Sequence, residues 1–125
     1  MTRYYETPFA NVGDRTDIPN AVQPSGGVSY TQGYGSDYEL DLATDPSAKA
    51  FPRDQNNQFC FDLTENIQQF QQYGSPLFIP SMNNAPVTFS YNKNAIVRYD
   101  DGSGLKFYQS IIDVNTALPT DTTKW

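Results

Sequence analysis

The sequence RDQNNQFCFDLTENIQQFQQY at positions 53–73 decides the fold, because it is the longest stretch of the chain without glycine or proline. Gly74 and Pro76 follow it directly, and both residue types commonly end helices. The sequence therefore predicts one central helix over residues 53–73, within a segment that extends to residue 75.

Apolar residues recur along this helix at intervals of three and four residues, which is the spacing of a heptad repeat. Their neighbours are uncharged Asn and Gln, unlike the Lys and Glu that flank a solvated helix. One interpretation is a bundle that buries these residues around an axis; three copies would do so, and two or six copies are also compatible with the spacing. The other is a single helix packed on its own subunit. The predicted trimer-interface residues are Cys60, Leu63, Ile67 and Phe70.

Residues 1–52 are polar and are interrupted repeatedly by proline and glycine, which limit regular structure. The pattern predicts an extended arm with short strands at 27–31 and 37–42. In the second of these, polar and apolar residues alternate strictly.

Seven of the eighteen aromatic side chains of the chain lie in this arm, and five of them are tyrosines. Tyrosine and phenylalanine offer large contact areas at small rotamer cost, so they are typical of binding surfaces. Packing within the same oligomer explains these residues equally well. The candidate docking residues are Tyr4, Tyr5, Phe9, Tyr30, Tyr34 and Tyr38.

The C-terminal half predicts a linker over 76–94, with one short strand at 86–91, and a small β-module over 95–125. Within the module, two apolar runs flank Asp100-Asp-Gly-Ser-Gly, which indicates a β-hairpin. The fold class predicted for the whole chain is α+β.

Composition excludes several functional classes. The formal net charge of −6 disfavours nucleic acid and anionic membranes as partners, and the sequence has neither a membrane-length apolar stretch nor a signal peptide. Histidine is absent, which removes the commonest general base. The single Cys60 cannot form an internal disulfide, which fits synthesis in a reducing cytoplasm.

The acidic residues suggest neither a metal site nor a glycosidase. Asp37, Glu39 and Asp41 alternate as on a solvated strand face, without the spacing of a calcium loop. Asp100 and Asp101 are explained by turn chemistry. We therefore expect no metal, no cofactor and no enzymatic activity.

Three aromatic residues of the β-module suggest a binding surface of another kind. Tyr99, Tyr108 and Trp125 are candidates for stacking on sugar rings, because flat aromatic faces match the apolar faces of sugars. The alternative is that they form the core of a unit that has few aliphatic residues.

Two stretches of the chain resemble a known family. The first covers about residues 8–79 and resembles the N-terminal, virion-proximal region of tailed-bacteriophage tail fibres or receptor-binding proteins. The resemblance is carried, in this order, by Pro8-Phe-Ala, Gly13-Asp-Arg-Thr-Asp-Ile-Pro, Gly27-Val-Ser-Tyr, Gln32-Gly-Tyr-Gly-Ser-Asp-Tyr-Glu, Ala43-Thr-Asp-Pro, Pro52-Arg-Asp and Asn66-Ile-Gln-Gln-Phe-Gln-Gln-Tyr-Gly-Ser-Pro.

The second stretch resembles the small aromatic β-module that often follows in phage fibres and is similar to chitin-binding domains. It comprises Ala95-Ile-Val-Arg-Tyr to Tyr108, Asn115-Thr, Pro119 and Asp121-Thr-Thr-Lys-Trp. The sequence departs from this pattern at two places: Asp100-Asp-Gly-Ser-Gly is longer than the usual Asn-Gly-type connection, and Asn94 stands where a glycine is common.

The resemblance implies a homotrimeric structural protein of the virion, made in the cytoplasm of the host bacterium. Its arm would attach to a tail-tip or baseplate protein, and it would carry or join a distal fibre or receptor-binding protein. The alternative function is a carbohydrate-binding module that recognises glycan on the host cell surface.

Overall fold

A computed structural model of the chain describes residues 4–80 and 89–125. Within these residues it contains one α-helix, one turn of 3-10 helix and one two-stranded antiparallel sheet. The predicted α+β class is therefore confirmed. The chain divides into two compact units, Met1–Gln68 and Gln69–Trp125, each of which is described separately below.

Helix α1 spans Arg53–Tyr73, the bounds predicted from the sequence. At its start, the carbonyl of Pro52 accepts a hydrogen bond from the amide of Asn56 at 2.9 Å. At its end, the amide of Gly74 donates to the carbonyl of Phe70 at 2.9 Å. Gly74 has a φ of 73°, a left-handed conformation that glycine adopts without steric cost. The helix therefore ends where the backbone requires glycine.

The strands predicted in the arm are not present in residues 4–52. The segment 27–31 is reduced to an isolated bridge between Ser29 and Gly33. The prediction of a strand over 37–42 is wrong: Ser36–Tyr38 forms a turn of 3-10 helix, and the residues after it form bends and turns.

Local hydrogen bonds explain why this segment does not form a strand. The carboxylate of Asp41 accepts from the amide of Ala43, and the carboxylate of Asp45 accepts from the amide of Ser47, both at 2.8 Å. Aspartate side chains that bond their own backbone in this way compete with strand pairing. No neighbouring strand in residues 4–52 compensates for the loss, so the turns prevail.

The second unit contains the sheet. Strand β1 spans Ile96–Asp100 and pairs antiparallel with strand β2, Leu105–Gln109. The predicted hairpin is therefore present. Its turn is closed by Asp100, whose Oδ1 accepts from the amides of Gly102 at 2.8 Å and Gly104 at 3.0 Å.

The segments that flank the hairpin add single bridges to it. Leu77 forms a parallel bridge with Arg98, and Tyr91 forms an antiparallel bridge with Asn115. Most of the strand predicted over 86–91 lies outside the described residues. In residues 89–91, which are described, the only strand pairing is the isolated bridge of Tyr91 with Asn115.

The buried core is small in each unit. Among the described residues, the buried hydrophobic side chains are Val28 in the first unit and Tyr91 and Val97 in the second. Asn115 is fully buried and donates from Nδ2 to the Ser110 hydroxyl and to the Lys124 carbonyl, both at 2.9 Å. Asn115 therefore connects Ser110 and Lys124 within the second unit.

Candidate functional site

An apolar stripe along helix α1 is left uncovered in the single chain. Its five residues are between 42% and 50% exposed, whereas hydrophobic side chains of a monomeric protein are usually buried against its core. At 100° per residue they fall within one 120° arc of the helix surface. This surface, called the helix stripe below, consists of Phe59, Leu63, Ile67, Phe70 and Tyr73.

The helix stripe is rotated slightly from the predicted heptad positions. Leu63, Ile67 and Phe70 lie on it as expected, but Cys60 is half-buried and its sulfur lies 3.8 Å from the Asn56 amide nitrogen. Phe59 occupies the N-terminal place on the stripe instead. Its spacing of four to Leu63 was present in the sequence, so this residue could have been found by periodicity.

Residues 6–16 lie along another side of the same helix. The amide of Phe9 donates to the Thr64 hydroxyl at 2.8 Å, and the Gln68 side-chain amide donates to the Glu6 carbonyl at 2.7 Å. The Arg15 guanidinium lies 3.6 Å from the centroid of the Phe61 ring. Phe61, Thr64 and Gln68 lie on a different side of the helix from the helix stripe. Residues 6–16 therefore cover that side and leave the helix stripe exposed.

Two arm tyrosines bind the helix near its N-terminal half. The Tyr30 hydroxyl donates to Asp62 at 2.9 Å, and the Tyr34 hydroxyl lies 3.4 Å from the Asn56 side-chain oxygen. Burial and the neighbouring Asp62 carboxylate raise the pKa of Tyr30 to about 12. Tyr30 therefore stays protonated at physiological pH and serves as a hydrogen-bond donor.

A groove of about 340 Å³ lies beside these tyrosines, within the first unit. Apolar and aromatic side chains dominate its lining, and Phe59 connects it to the helix stripe. The lining residues are Ile18, Val28, Ser29, Tyr30, Gly33, Tyr34 and Phe59.

The candidate docking aromatics separate into two groups. Tyr30, Tyr34 and Tyr38 come together: the Tyr34 and Tyr38 rings meet edge to face with centroids 5.2 Å apart, and the Tyr38 hydroxyl accepts from the amide of Val28. These three residues take part in the packing of their own unit.

The other docking candidates lie at the beginning of the chain. Tyr4 is 70% exposed and Phe9 is 52% exposed, while Tyr5 is half-buried. Phe9 is held through its backbone amide, which leaves its ring exposed to solvent. Tyr4 and Phe9 are therefore the docking candidates whose rings the single chain leaves most accessible.

The three predicted sugar-stacking residues belong to an aromatic cluster inside the second unit. Trp125 packs edge to face on Tyr91 at 5.3 Å and on Phe78 at 5.9 Å, and its Nε1 donates to the Ala117 carbonyl at 2.8 Å. Tyr99 also contacts the Phe78 ring, at 5.5 Å. Rings that meet at steep angles form a packed core more readily than a flat platform.

Tyr108 lies at the margin of this cluster, next to a charged group. Its ring centroid is 6.3 Å from that of Tyr99, and its hydroxyl donates to Asp101 at 3.0 Å. The Lys106 ammonium, 2.7 Å from Asp101, and the Ser103 hydroxyl hold the pKa of the Asp101 carboxyl well below its usual range. The turn of the hairpin is thereby fixed by an ion pair and two hydroxyl groups.

Arg98 is a buried residue that the sequence did not indicate. Only 3% of it is exposed, although its charge favours solvent. Its Nε donates to the Ser75 carbonyl at 3.0 Å, an Nη donates to the Gln69 side chain at 3.3 Å, and its guanidinium lies 3.8 Å from the Tyr73 ring centroid. Arg98 thereby fastens the end of helix α1 to strand β1.

The described residues provide no basis for a metal site, since no group of three or more His, Cys, Asp or Glu side chains comes together in 4–80 or 89–125. No helix in these ranges has both the length and the apolar character needed to cross a membrane. No protein-family model matches the sequence, and no curated protein matches it. The functional conclusion therefore depends on the residues themselves.

Proposed function

We propose that this chain is a homotrimeric structural component of a bacteriophage tail, which anchors a tail fibre or receptor-binding protein to the tail tip or baseplate. In this proposal the helix stripe forms the centre of a three-helix bundle. The arm docks on a tail protein, and the C-terminal module lies next to the distal fibre or receptor-binding protein. The assembled protein is located in the virion.

The observation that carries the proposal is the exposure of the helix stripe. Leu63, Ile67 and Phe70 are close to half exposed, and few apolar side chains are buried in residues 4–80 and 89–125. Covering the exposed half of each would contribute roughly 1 kcal/mol per side chain. Two features indicate that other copies of the same chain bury this surface. Leu63, Ile67 and Phe70 have heptad spacing, and the residue beside them on the same face, Asn66, is uncharged.

The exposed rings near the N-terminus support the docking role. Tyr4 and Phe9 lie in or next to the stretch that resembles virion-proximal regions. Both are more than half exposed, and the hydrogen bond from Phe9 to Thr64 uses the backbone amide. Aromatic side chains in such positions are typical anchors at protein interfaces. Three linked arms would attach far more strongly than one, because each later contact is intramolecular.

The oligomer is tested by the molar mass of the wild type and of Ile67→Asp, measured by light scattering at several concentrations. We expect three copies for the wild type and dissociation for Ile67→Asp, because three carboxylates near one axis repel and lose solvation. Gln72→Asp is the matched control, since Gln72 is exposed on the same helix but about 140° around it from Ile67. A monomeric wild type with an intact helix would refute the trimer.

The docking role is tested separately with Phe9→Ser, which keeps the backbone bond to Thr64 and removes only the exposed ring. The variant is supplied to phage that lack their own copy of the gene, and its content in purified particles is measured. We expect an intact trimer that enters fewer particles. Normal incorporation of Phe9→Ser together with Tyr4→Ser would contradict docking through these rings.

A further inference from the structure

The outer edge of strand β2 is an unused hydrogen-bonding surface. Strand β1 is paired on both sides: β2 lies on one, and on the other the Arg98 amide donates to the Pro76 carbonyl and its carbonyl accepts from the Phe78 amide, both at 2.8 Å. Among residues 4–80 and 89–125, the backbone of Leu105–Gln109 has no partner besides β1. An unpaired edge of this kind can accept a further strand.

The direction of the free groups follows from the register. Arg98 faces Phe107 in the sheet, and the backbone groups of Arg98 point away from β2. The two residues therefore form a non-hydrogen-bonded pair, so the amide and carbonyl of Phe107 point to the outer edge. By the same alternation, those of Leu105 and Gln109 point outward too.

The side chains on this edge are also uncovered. Phe107 is 63% exposed and Leu105 is 55% exposed, on the same face of the sheet. Natural edge strands are usually protected by charge, proline or a bulge. In β2 the single charge, Lys106, is neutralised by Asp101 at 2.7 Å, and the strand has no proline.

We propose that this edge pairs antiparallel with the same edge of a second copy of the chain, around a two-fold axis at Phe107. Phe107 then faces Phe107 of the second copy, and Leu105 faces its Gln109. All the residues with outward backbone groups meet one another in this register, so every pair they form is hydrogen-bonded. A strand that fits itself across a two-fold axis forms a closed dimer contact.

The charges of β2 favour this occupant. In this register Lys106 of one copy lies opposite Tyr108 of the other, so the two ammonium groups do not face each other. The hydroxyl of Tyr108 donates to Asp101 at 3.0 Å. Each ammonium stays paired with Asp101 of its own copy at 2.7 Å, so the register brings no unpaired charge and no like-charge pair across the contact.

The contact goes beyond the proposed function and uses residues other than the helix stripe. A five-residue edge buries less surface than a stable dimer requires, so the pairing is reversible and depends on concentration.

The register is tested by disulfide formation in the Cys60→Ser, Ile67→Asp background, where helix association is blocked. Phe107→Cys should crosslink two copies, since hydrogen-bonded partners have Cα atoms about 5.5 Å apart, within disulfide range. Leu105→Cys should crosslink to Gln109→Cys in a mixture but not to itself. Ile96→Cys is the matched control, because Ile96 is half exposed on the same sheet face but lies on β1.

We expect Phe107→Cys to crosslink about tenfold faster than Ile96→Cys, because pairing raises the effective concentration of the two sulfurs. Equal rates for these two variants, or self-crosslinking by Leu105→Cys, would overturn the proposal. A second measurement is amide hydrogen exchange at Phe107 in the same background without the added cysteine. Exchange should slow as the protein is concentrated; slow exchange at every dilution would mean that the chain covers its own edge, which also overturns it.

Molar mass separates this proposal from the trimer. Ile67→Asp alone should form a reversible dimer, and Phe107→Lys alone should remain a trimer. The double variant should be monomeric. A monomeric Ile67→Asp at high concentration refutes edge pairing only, whereas a wild type that Phe107→Lys reduces to a monomer refutes the helix bundle only.

Discussion

Replacing Arg98 with methionine tests how a buried guanidinium stabilises the second unit. Methionine keeps much of the volume and the unbranched stem but removes the charge and every donor. The change leaves the Ser75 carbonyl without its Nε partner and removes the contact with the Tyr73 ring.

The magnitude follows from opposing contributions. An unsatisfied buried carbonyl costs about 1–3 kcal/mol, and loss of a cation–ring contact costs about 1 kcal/mol. The remaining attraction of the guanidinium for its neighbours is largely offset by its desolvation in the folded state. We therefore expect Arg98→Met to lower the free energy of unfolding by about 3 kcal/mol.

The assay is urea unfolding at equal protein concentration, followed by near-ultraviolet circular dichroism of the aromatic cluster. Arg98→Lys is the comparison, because lysine keeps the charge but cannot both stack on Tyr73 and reach Gln69. Lysine should therefore recover only part of the loss. A methionine variant as stable as the wild type would refute the reasoning, since the guanidinium would then contribute nothing net.

Two further predictions concern single aromatic residues. The pKa of Tyr30 is raised from 10.0 to about 12, so the stability linked to its protonated form is complete below pH 10 and declines as the pH rises toward 12. Tyr30→Phe should flatten this decline, which is measured as urea midpoints on either side of pH 10. An unchanged slope would contradict the assignment. Trp125→Ala should destabilise the second unit by about 3 kcal/mol, because it removes a ring packed on Tyr91 and Phe78. Unaltered stability in a urea melt would instead favour a solvent-facing role for the ring.

The helix and the hairpin were predictable because their signals are local. The helix has no glycine or proline between Arg53 and Tyr73 and then meets Gly74, whose positive φ fits its place after the last turn. The hairpin is defined by Asp100 and the two glycines of its turn. Each element is determined by residues within a few positions of its ends.

The prediction of a strand over 37–42 was wrong because a strand depends on partners that are not local. Alternation of polar and apolar residues indicates a strand only when a second strand accepts its backbone bonds, and residues 4–52 provide none. The burial of Arg98 could not be predicted either, because its acceptors, Ser75 and Gln69, are distant from it in sequence. Such partners are determined by the fold and leave no periodic trace in the sequence.

The attachment of residues 6–16 to the helix has a consequence for how this chain can change. Three of its bonds use main-chain atoms of the segment: the carbonyl of Glu6, the amide of Phe9 and the carbonyl of Asp14, to which the Asn57 side chain donates at 3.0 Å. The specific side chains in these bonds come from the helix, so substitution at positions 6 and 9 preserves them. Natural variants can therefore acquire new outward-facing side chains at positions 6 and 9, while the hydrogen bonds that attach the segment to the helix are kept.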